Sequence, residues 1–199
     1  MTLEARMPKY TVKPLAPATW SDFAALVERH DGVWGGCWCL EFHADGKARG
    51  PHRRAAKEAH VRAGTAHAAL VYDGDRCVGW CQFGSPEELQ RIKRRRAYDA
   101  EPGDPPDWRI TCFFVDKAYR GKGVASAALT GALKEIARLG GGLVESFPED
   151  VEGRTVSGSF LHNSRLAMFE GQGFRRVRQL GKHNWLVVKR VRRARATKL

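Results

Sequence analysis

Residues 110–139 read ITCFFVDKAYRGKGVASAALTGALKEIARL, and three patterns follow one another there. Ile110 to Val115 packs β-branched and aromatic residues together and predicts a buried strand. From about Val124 the apolar residues recur at helical spacing. Val124, Ala128, Ala132 and Ile136 share one stripe, with Leu129 and Leu133 beside it. Between strand and helix lies Arg120-Gly121-Lys122-Gly123-Val124-Ala125, followed by Ser126. A glycine-rich turn at a helix start presents about four unpaired backbone N–H groups and the positive end of the helix dipole. Gly121 and Gly123 carry no Cβ to hold a phosphate away. Arg120 and Lys122 add positive charge. The turn predicts a diphosphate cradle.

The turn is neither a P-loop nor a dinucleotide fingerprint. It lacks G-x-x-x-x-G-K-[ST], and Ser126 stands where the third glycine of G-x-G-x-x-G would fall. A strand ending in Val115-Asp116, then R-x-x-G-x-A, then an alanine-rich helix resembles the acetyl-CoA loop of the GNAT superfamily of N-acetyltransferases. Residues 160–174, FLHNSRLAMFEGQGF, resemble its second signature, a helix with an early asparagine and a closing Gly-Phe pair. The resemblance covers roughly Ala66 to Val191, and residues 1–65 match only generically. It implies an α/β (α+β) fold of three layers, with a central mixed, splayed sheet of about six to seven strands flanked by helices. It implies one domain over 1–191, with 1–65 as a variable acceptor-side region and 66–191 as the cofactor core. Residues 192–199 would be a basic tail. It further implies acetyl-CoA as co-substrate, no metal, and direct transfer to a primary amine of a small molecule or peptide in a ternary complex. Cofactor contacts fall on Phe114, Val115, Arg120, Gly121, Lys122, Gly123, Val124, Ala125, Ser126 and Asn163. A homodimer is reasonable by the same resemblance.

Composition agrees with a single globular unit. Of 199 residues 43% are hydrophobic, enough for a sizeable core. No run approaches the roughly 18 apolar residues of a membrane span, and MTLEARMPKY has no apolar signal core. A cytoplasmic location is the expectation, and five cysteines without a paired framework fit it. The formal charge is +12, and Arg175 to Leu199 holds ten Lys or Arg and no acid. Such a basic end attracts polyanions, coenzyme A or a nucleic acid. Nucleic acid is the less favoured partner, because no recognised nucleic-acid module accompanies the charge. The competing functions are a nucleic-acid-associated protein and a coenzyme A sensor without turnover.

Taken in order, the chain predicts a short strand at Tyr10 to Pro14 and a helix over Trp20 to Glu28. A second helix is expected over Arg53 to Ala63. Ala66 to Tyr72 and Arg76 to Phe83, joined by Asp73-Gly74-Asp75, read as a hairpin. Pro86 to Tyr98 reads as a basic helix and Leu143 to Phe147 as a strand parallel to Ile110–Val115. A last helix is expected from about Ser159 to Glu170. Two strands finish the domain, Phe174 to Gln179 and Trp185 to Val191. This order of hairpin, strand, loop, helix, strand, helix and hairpin matches the resemblance.

Around this frame sit the candidate chemical groups. An alkyl amine, with a pKa near about 10, must lose a proton before it attacks a thioester. Glu145, alone among apolar neighbours on its strand, is the candidate base, because burial would raise its pKa toward neutrality. The alternative is a carboxylate paired with a basic residue. Trp34 and Trp38, in the glycine-rich loop from Asp31 to Leu40, are candidates to wall the acceptor pocket, or else form a plug on the sheet. Glu149, with Asp150 and Glu152, either draws in a cationic acceptor or belongs to a solvated loop. A zinc reading of the cysteines fails, since Cys77 and Cys81 would stand about 13 Å apart on a strand. Cys112 lies in apolar surroundings, where a thiol is inert. By the resemblance, Phe169 stands where many members carry a tyrosine that protonates the leaving thiolate. Water or Ser164 would then serve instead.

Overall fold

The computed structural model describes residues 9–46, 50–156 and 161–195. The N-terminal MTLEARMP, the expected start of the last helix at Ser159 and the end of the basic tail (196–199) lie outside the described residues.

Seven strands form one sheet: β1 Thr11–Pro14, β2 His67–Asp73, β3 Arg76–Gly84, β4 Trp108–Val115, β5 Gly142–Ser146, β6 Arg175–Gln179 and β7 Trp185–Val191. Their order is β1-β2-β3-β4-β5-β7-β6. Every pairing is antiparallel except β4 with β5. Among the described residues five α-helices accompany them: α1 Trp20–Glu28, α2 Arg53–Arg62, α3 Arg95–Asp99, α4 Val124–Arg138 and α5 Leu166–Glu170.

Strand periodicity builds the layers. Along β2, Ala68, Leu70 and Tyr72 join Phe23, Leu26 and Val27 of α1 and Val61 of α2 in one core. Ala69 and Val71 point the other way, into a second core with α4 and α5. The predicted stripe of α4 is the buried one, Val124, Ala128, Leu129, Ala132, Leu133 and Ile136. A helix therefore covers each side of the sheet, and both cores consist of apolar side chains removed from water.

Two predicted helices are shorter in the structure. Of Pro86 to Tyr98, only the end is helical, as α3. Five cations between Arg91 and Arg96 would repel one another at helical spacing. Instead Arg91 N donates to Phe42 O (3.0 Å) and the segment runs across the sheet end. The last helix begins at Leu166, and the described residues before it, 161–165, are not helical. Ser164 has a positive φ of 62°, and Arg165 is extended. Asn and Ser favour such local turns over helix interiors. Asn163 consequently stands on a loop ahead of α5.

The positioning feature is the β4–β5 pair. Parallel pairing covers Trp108↔Val144, Arg109↔Glu145 and Ile110↔Ser146, then stops. Beyond Ile110 the strands diverge, and Phe113 N donates to His162 O (2.6 Å) in the loop before α5.

Candidate active site

Three cavities meet at this divergence. The first is a groove of about 510 Å³, walled by the end of β4, the turn before α4 and the loop before α5. Phe114, Val115, Arg120, Gly121, Gly123, Val124, Ala125 and Ser126 line it, and so does Trp34, a candidate for the acceptor pocket. Lys122 does not line the groove, and its ammonium lies over the Tyr119 ring, 5.4 Å from the centroid.

Local chemistry explains the cradle. Asp116 closes β4 and accepts from the Ala118 N–H at 3.0 Å, fixing the start of the turn. Arg76 (3.3 Å) and His30 (3.4 Å) flank its carboxylate. Burial pushes that carboxyl up, but the Ala118 N–H, His30 and Arg76 together hold it below 3.8. Gly123 is the N-cap of α4 at φ 86°, a conformation side chains rarely adopt, and no side chain caps the helix. Gly79 on β3 lets the helix start lie close to the sheet. A Cβ there would meet Val124 Cγ1 at 2.7 Å and Phe114 O at 2.8 Å. Uncapped N–H groups, a left-handed glycine and Arg120 suit a bound diphosphate.

The groove also contains an aimed main-chain donor. Hydrogen-bond direction alternates along a strand. Asp116 N donates to Val78 O on β3 (2.9 Å), while Phe113 N donates away from β3, to His162 O. The Phe114 N–H therefore faces β3, where Phe114 pairs with Trp80. The Val115 N–H faces the gap between β4 and β5.

Trp34 and Phe114, ring centroids 6.4 Å apart and edge to face, stand at the groove. Trp34 is shared with a second, smaller cavity of about 250 Å³, which Cys37, Glu41, Phe42, Lys93, Cys112 and His162 also line. Lys93 and His162 in turn border a third cavity of about 520 Å³, with Asn163, Glu149, Phe147 and the β6–β7 turn. The His162 ring stacks on Phe42, and its Nδ1 is 3.5 Å from Lys93 Nζ. Cys112 is no acyl carrier. The hydrogen bond it shares with Cys39 and its burial push its thiol well above 9.0.

Behind the small cavity Lys57 is fully buried. Its ammonium donates to Gln82 Oε1 (3.0 Å) and Cys39 O (3.3 Å) and stands 3.3 Å from His43 Nε2. Burial, with Lys57 adding to it, lowers the His43 pKa to about 2, so that ring is neutral and accepts.

The structure places several of the sequence candidates away from the cofactor groove. Glu145 is in none of the three cavities. Its Oε1 accepts from Arg109 Nε at 2.5 Å and its Oε2 from the Tyr98 hydroxyl at 3.0 Å, both inside the protein. The carboxylate is the paired one, facing Arg109 and Tyr98. Trp38 does not wall a cavity; it is buried against Trp20 and Phe23 as the plug. Asn163 borders the third cavity and not the cofactor groove. Glu149 borders that cavity too, but Arg154 holds it at 3.4 Å, and Asp150 lies 4.0 Å from Arg176. Glu149 and Asp150 each thus face an arginine. Phe169 is fully buried between Phe113 and Phe174, so its position does not reach the groove. Ser164 and Met168 line the groove instead, Ser164 Oγ lying 3.6 Å from Met168 Sδ.

Sequence reasoning missed Lys93, Arg94, His162 and Lys182 as site residues. His162 sits inside the quoted second signature. Lys93 and Arg94 fall in the stretch read as a basic helix, and Lys182 in the basic end after Arg175. Among the described residues no cluster of three or more His, Cys, Asp or Glu could hold a metal ion, and no helix is long and apolar enough to cross a membrane.

Comparison with known proteins bears on this arrangement. The acetyltransferase (GNAT) family pattern matches residues 23–149. No curated protein matches significantly. Among solved structures, the phosphinothricin acetyltransferase of Sinorhizobium meliloti in complex with AcCoA is similar with a TM-score of 0.52. Identity is 13%, over 96% of this chain and 93% of that one. The histone acetyltransferase HPA2 and related acetyltransferase of Corynebacterium glutamicum is similar with a TM-score of 0.51. Identity is 17%, over 96% of this chain and 100% of that one. At these identities the likeness is one of fold.

Proposed function

This chain belongs to the GNAT family of acetyl-CoA-dependent N-acetyltransferases, and from that premise we propose that it transfers acetyl directly to a primary amine of a small molecule or peptide within a ternary complex. The carrying observation is a continuous path. A groove with an uncapped helix start at one end runs past the Val115 N–H, and at Trp34 it meets a cavity bordered by His162.

Bound acetyl-CoA supplies an acyl carbon already activated as a thioester. The N–H groups at the start of α4 and Arg120 hold the diphosphate. The Val115 N–H donates to the thioester oxygen, where negative charge develops during attack. His162 borders both acceptor-side cavities, and its imidazole receives the amine proton. The Ser164 hydroxyl, in the groove wall, donates to the departing sulfur in place of the absent tyrosine. Most of the acceleration comes from holding amine and thioester in line.

Thermal unfolding with and without acetyl-CoA tests the cofactor reading. Ligand at 100 times its Kd adds about 2.7 kcal/mol, which for a chain of this size is roughly 5–10 °C. Free-thiol release with an amine panel then tests turnover. A folded protein with no thermal shift would overturn the proposal.

A further inference from the structure

The third cavity has a charge pattern that narrows the acceptor, given the acetyltransferase reading above. Lys93, Arg94, Arg154 and Lys182 border it, and among the described residues Glu149 is the only carboxylate that does. Arg154 already holds Glu149. Lys93, Arg94 and Lys182 have no carboxylate within ion-pair distance among the described residues, whereas many other arginines on this protein do. The cavity thus collects uncompensated cations from two separate parts of the chain, Lys93 with Arg94 and Lys182.

Arg94 shows how the arrangement is built. It is one of the few residues other than glycine with a positive φ, 59°. Its guanidinium lies against Gly181 in the β6–β7 turn, where an added Cβ would come within 3.0 Å of Arg94 Cζ. Lys182 follows Gly181 directly. The turn and the segment before α3 therefore place two cations side by side at the cavity. Asn163 adds an independent observation. Its side chain is buried, at 6% exposure, and its Oδ1 has no hydrogen-bond partner among the described residues. It borders the same cavity. A buried acceptor atom lacking a donor is costly and is expected to find one.

A ligand that answers both features has an anionic end and an N–H end. We propose that the acceptor is an amine bearing a carboxylate or a phosphorus oxyanion, with the anion held by Lys93, Arg94 and Lys182 and the amine directed toward Asn163 and His162. Charge-assisted hydrogen bonds from lysine and arginine give the anion most of its binding strength. The volume, about 520 Å³, suits a small molecule. A cationic amine such as a polyamine would meet repulsion here.

The test compares matched amines by free-thiol release: β-alanine against propylamine for the carboxylate, 2-aminoethylphosphonate against ethylamine for the phosphorus oxyanion, and spermidine as the cationic case. The expected result is kcat/KM at least about 10-fold higher for one anionic amine than for its neutral partner, with spermidine poorest. The better arm identifies the anion. Lys182→Ala and Arg94→Ala should each raise KM for that amine about 10-fold while leaving the Kd of acetyl-CoA unchanged. Lys182 is exposed, so its variant folds even if that of Arg94 does not. Weaker acetyl-CoA binding in both variants, with normal binding of dephospho-acetyl-CoA, would reassign the cations to the cofactor's 3′-phosphate and overturn the inference. Equal or better turnover of neutral or cationic amines would overturn it too, as would no thiol release from any amine while acetyl-CoA binds. Failure of acetyl-CoA to bind at all would instead overturn the acetyltransferase reading and this inference with it.

Discussion

Replacing Glu145 by glutamine separates a structural carboxylate from a catalytic one. Glu145 and Arg109 are direct neighbours on the parallel strands β4 and β5, with side chains only 3% and 6% exposed. Burial pushes the Glu145 carboxyl above 4.5, against the pull of Arg109 and Tyr98. The 2.5 Å contact with a guanidinium, which stays protonated, keeps the pair ionised at neutral pH. Removing one charge of a buried pair leaves the other uncompensated and costs roughly 3–5 kcal/mol. Arg109 also donates to Leu89 O (3.0 Å) and Pro86 O (3.5 Å), and glutamine still accepts from it, so the low end applies. About 3 kcal/mol lowers Tm by roughly 6–12 °C for a chain of this size. Calorimetry on the purified variant measures this, and kcat at 20 °C should stay within about 3-fold of the parent. Replacing both partners, Arg109→Met with Glu145→Leu, should recover much of the loss. An unchanged Tm together with a loss of about 10³ in kcat would refute the reasoning and restore Glu145 as the base.

Three other outcomes are expected. Gly123→Asp places a carboxylate at a left-handed position beside the diphosphate, so calorimetric titration should find acetyl-CoA affinity reduced at least about 100-fold. The strain itself costs about 1–2 kcal/mol in denaturant unfolding. His162→Gln should lower kcat about 100-fold in steady-state assays, with little change in acetyl-CoA Kd. The buried, neutral His43 carries a pH signature: its folded pKa of about 2 lies far below the unfolded value near 6.5, so below about 6.5 the unfolded state binds more protons. Stability is therefore lost as pH falls, by up to about 1.4 kcal/mol per unit, and His43→Gln should flatten the dependence of Tm on pH between 6.5 and 4.5.

Much of the fold was legible because it rests on local pattern. Trp20–Glu28 announced itself by periodicity, the Asp73-Gly74-Asp75 hairpin by turn chemistry, and the cradle by two glycines between a strand and a helix. What failed to show was non-local. Nothing near Glu145 in sequence reveals Arg109, 36 positions earlier, because parallel pairing across a helix brings them together. Trp34 and Trp38 look equivalent in the chain, yet only one reaches the groove, since a run of positive φ values from Asp31 to Cys39 sets their directions. Lys93 and Arg94 read as part of a basic helix and Lys182 as part of the basic end, and only the approach of the β6–β7 turn to the segment before α3 makes them a cavity wall.

The parallel pairing has a consequence for the chain's connectivity. β4 and β5 share three register pairs, whereas β3 and β4 share six and β5 and β7 share five. Everything on the β1–β4 side, with α4 packed on it, comes from residues up to Leu139, and all of β5 to β7 comes from residues after it. The backbone passes between these strands once, through Gly140-Gly141-Gly142, where all three φ values are positive. The sheet is thus two contiguous leaves bound along a short seam. Such a seam is the natural place for sub-global opening, and amides along it should exchange with solvent as a unit ahead of those inside either leaf. A polypeptide severed at Gly140 would leave each leaf with its own strand order intact.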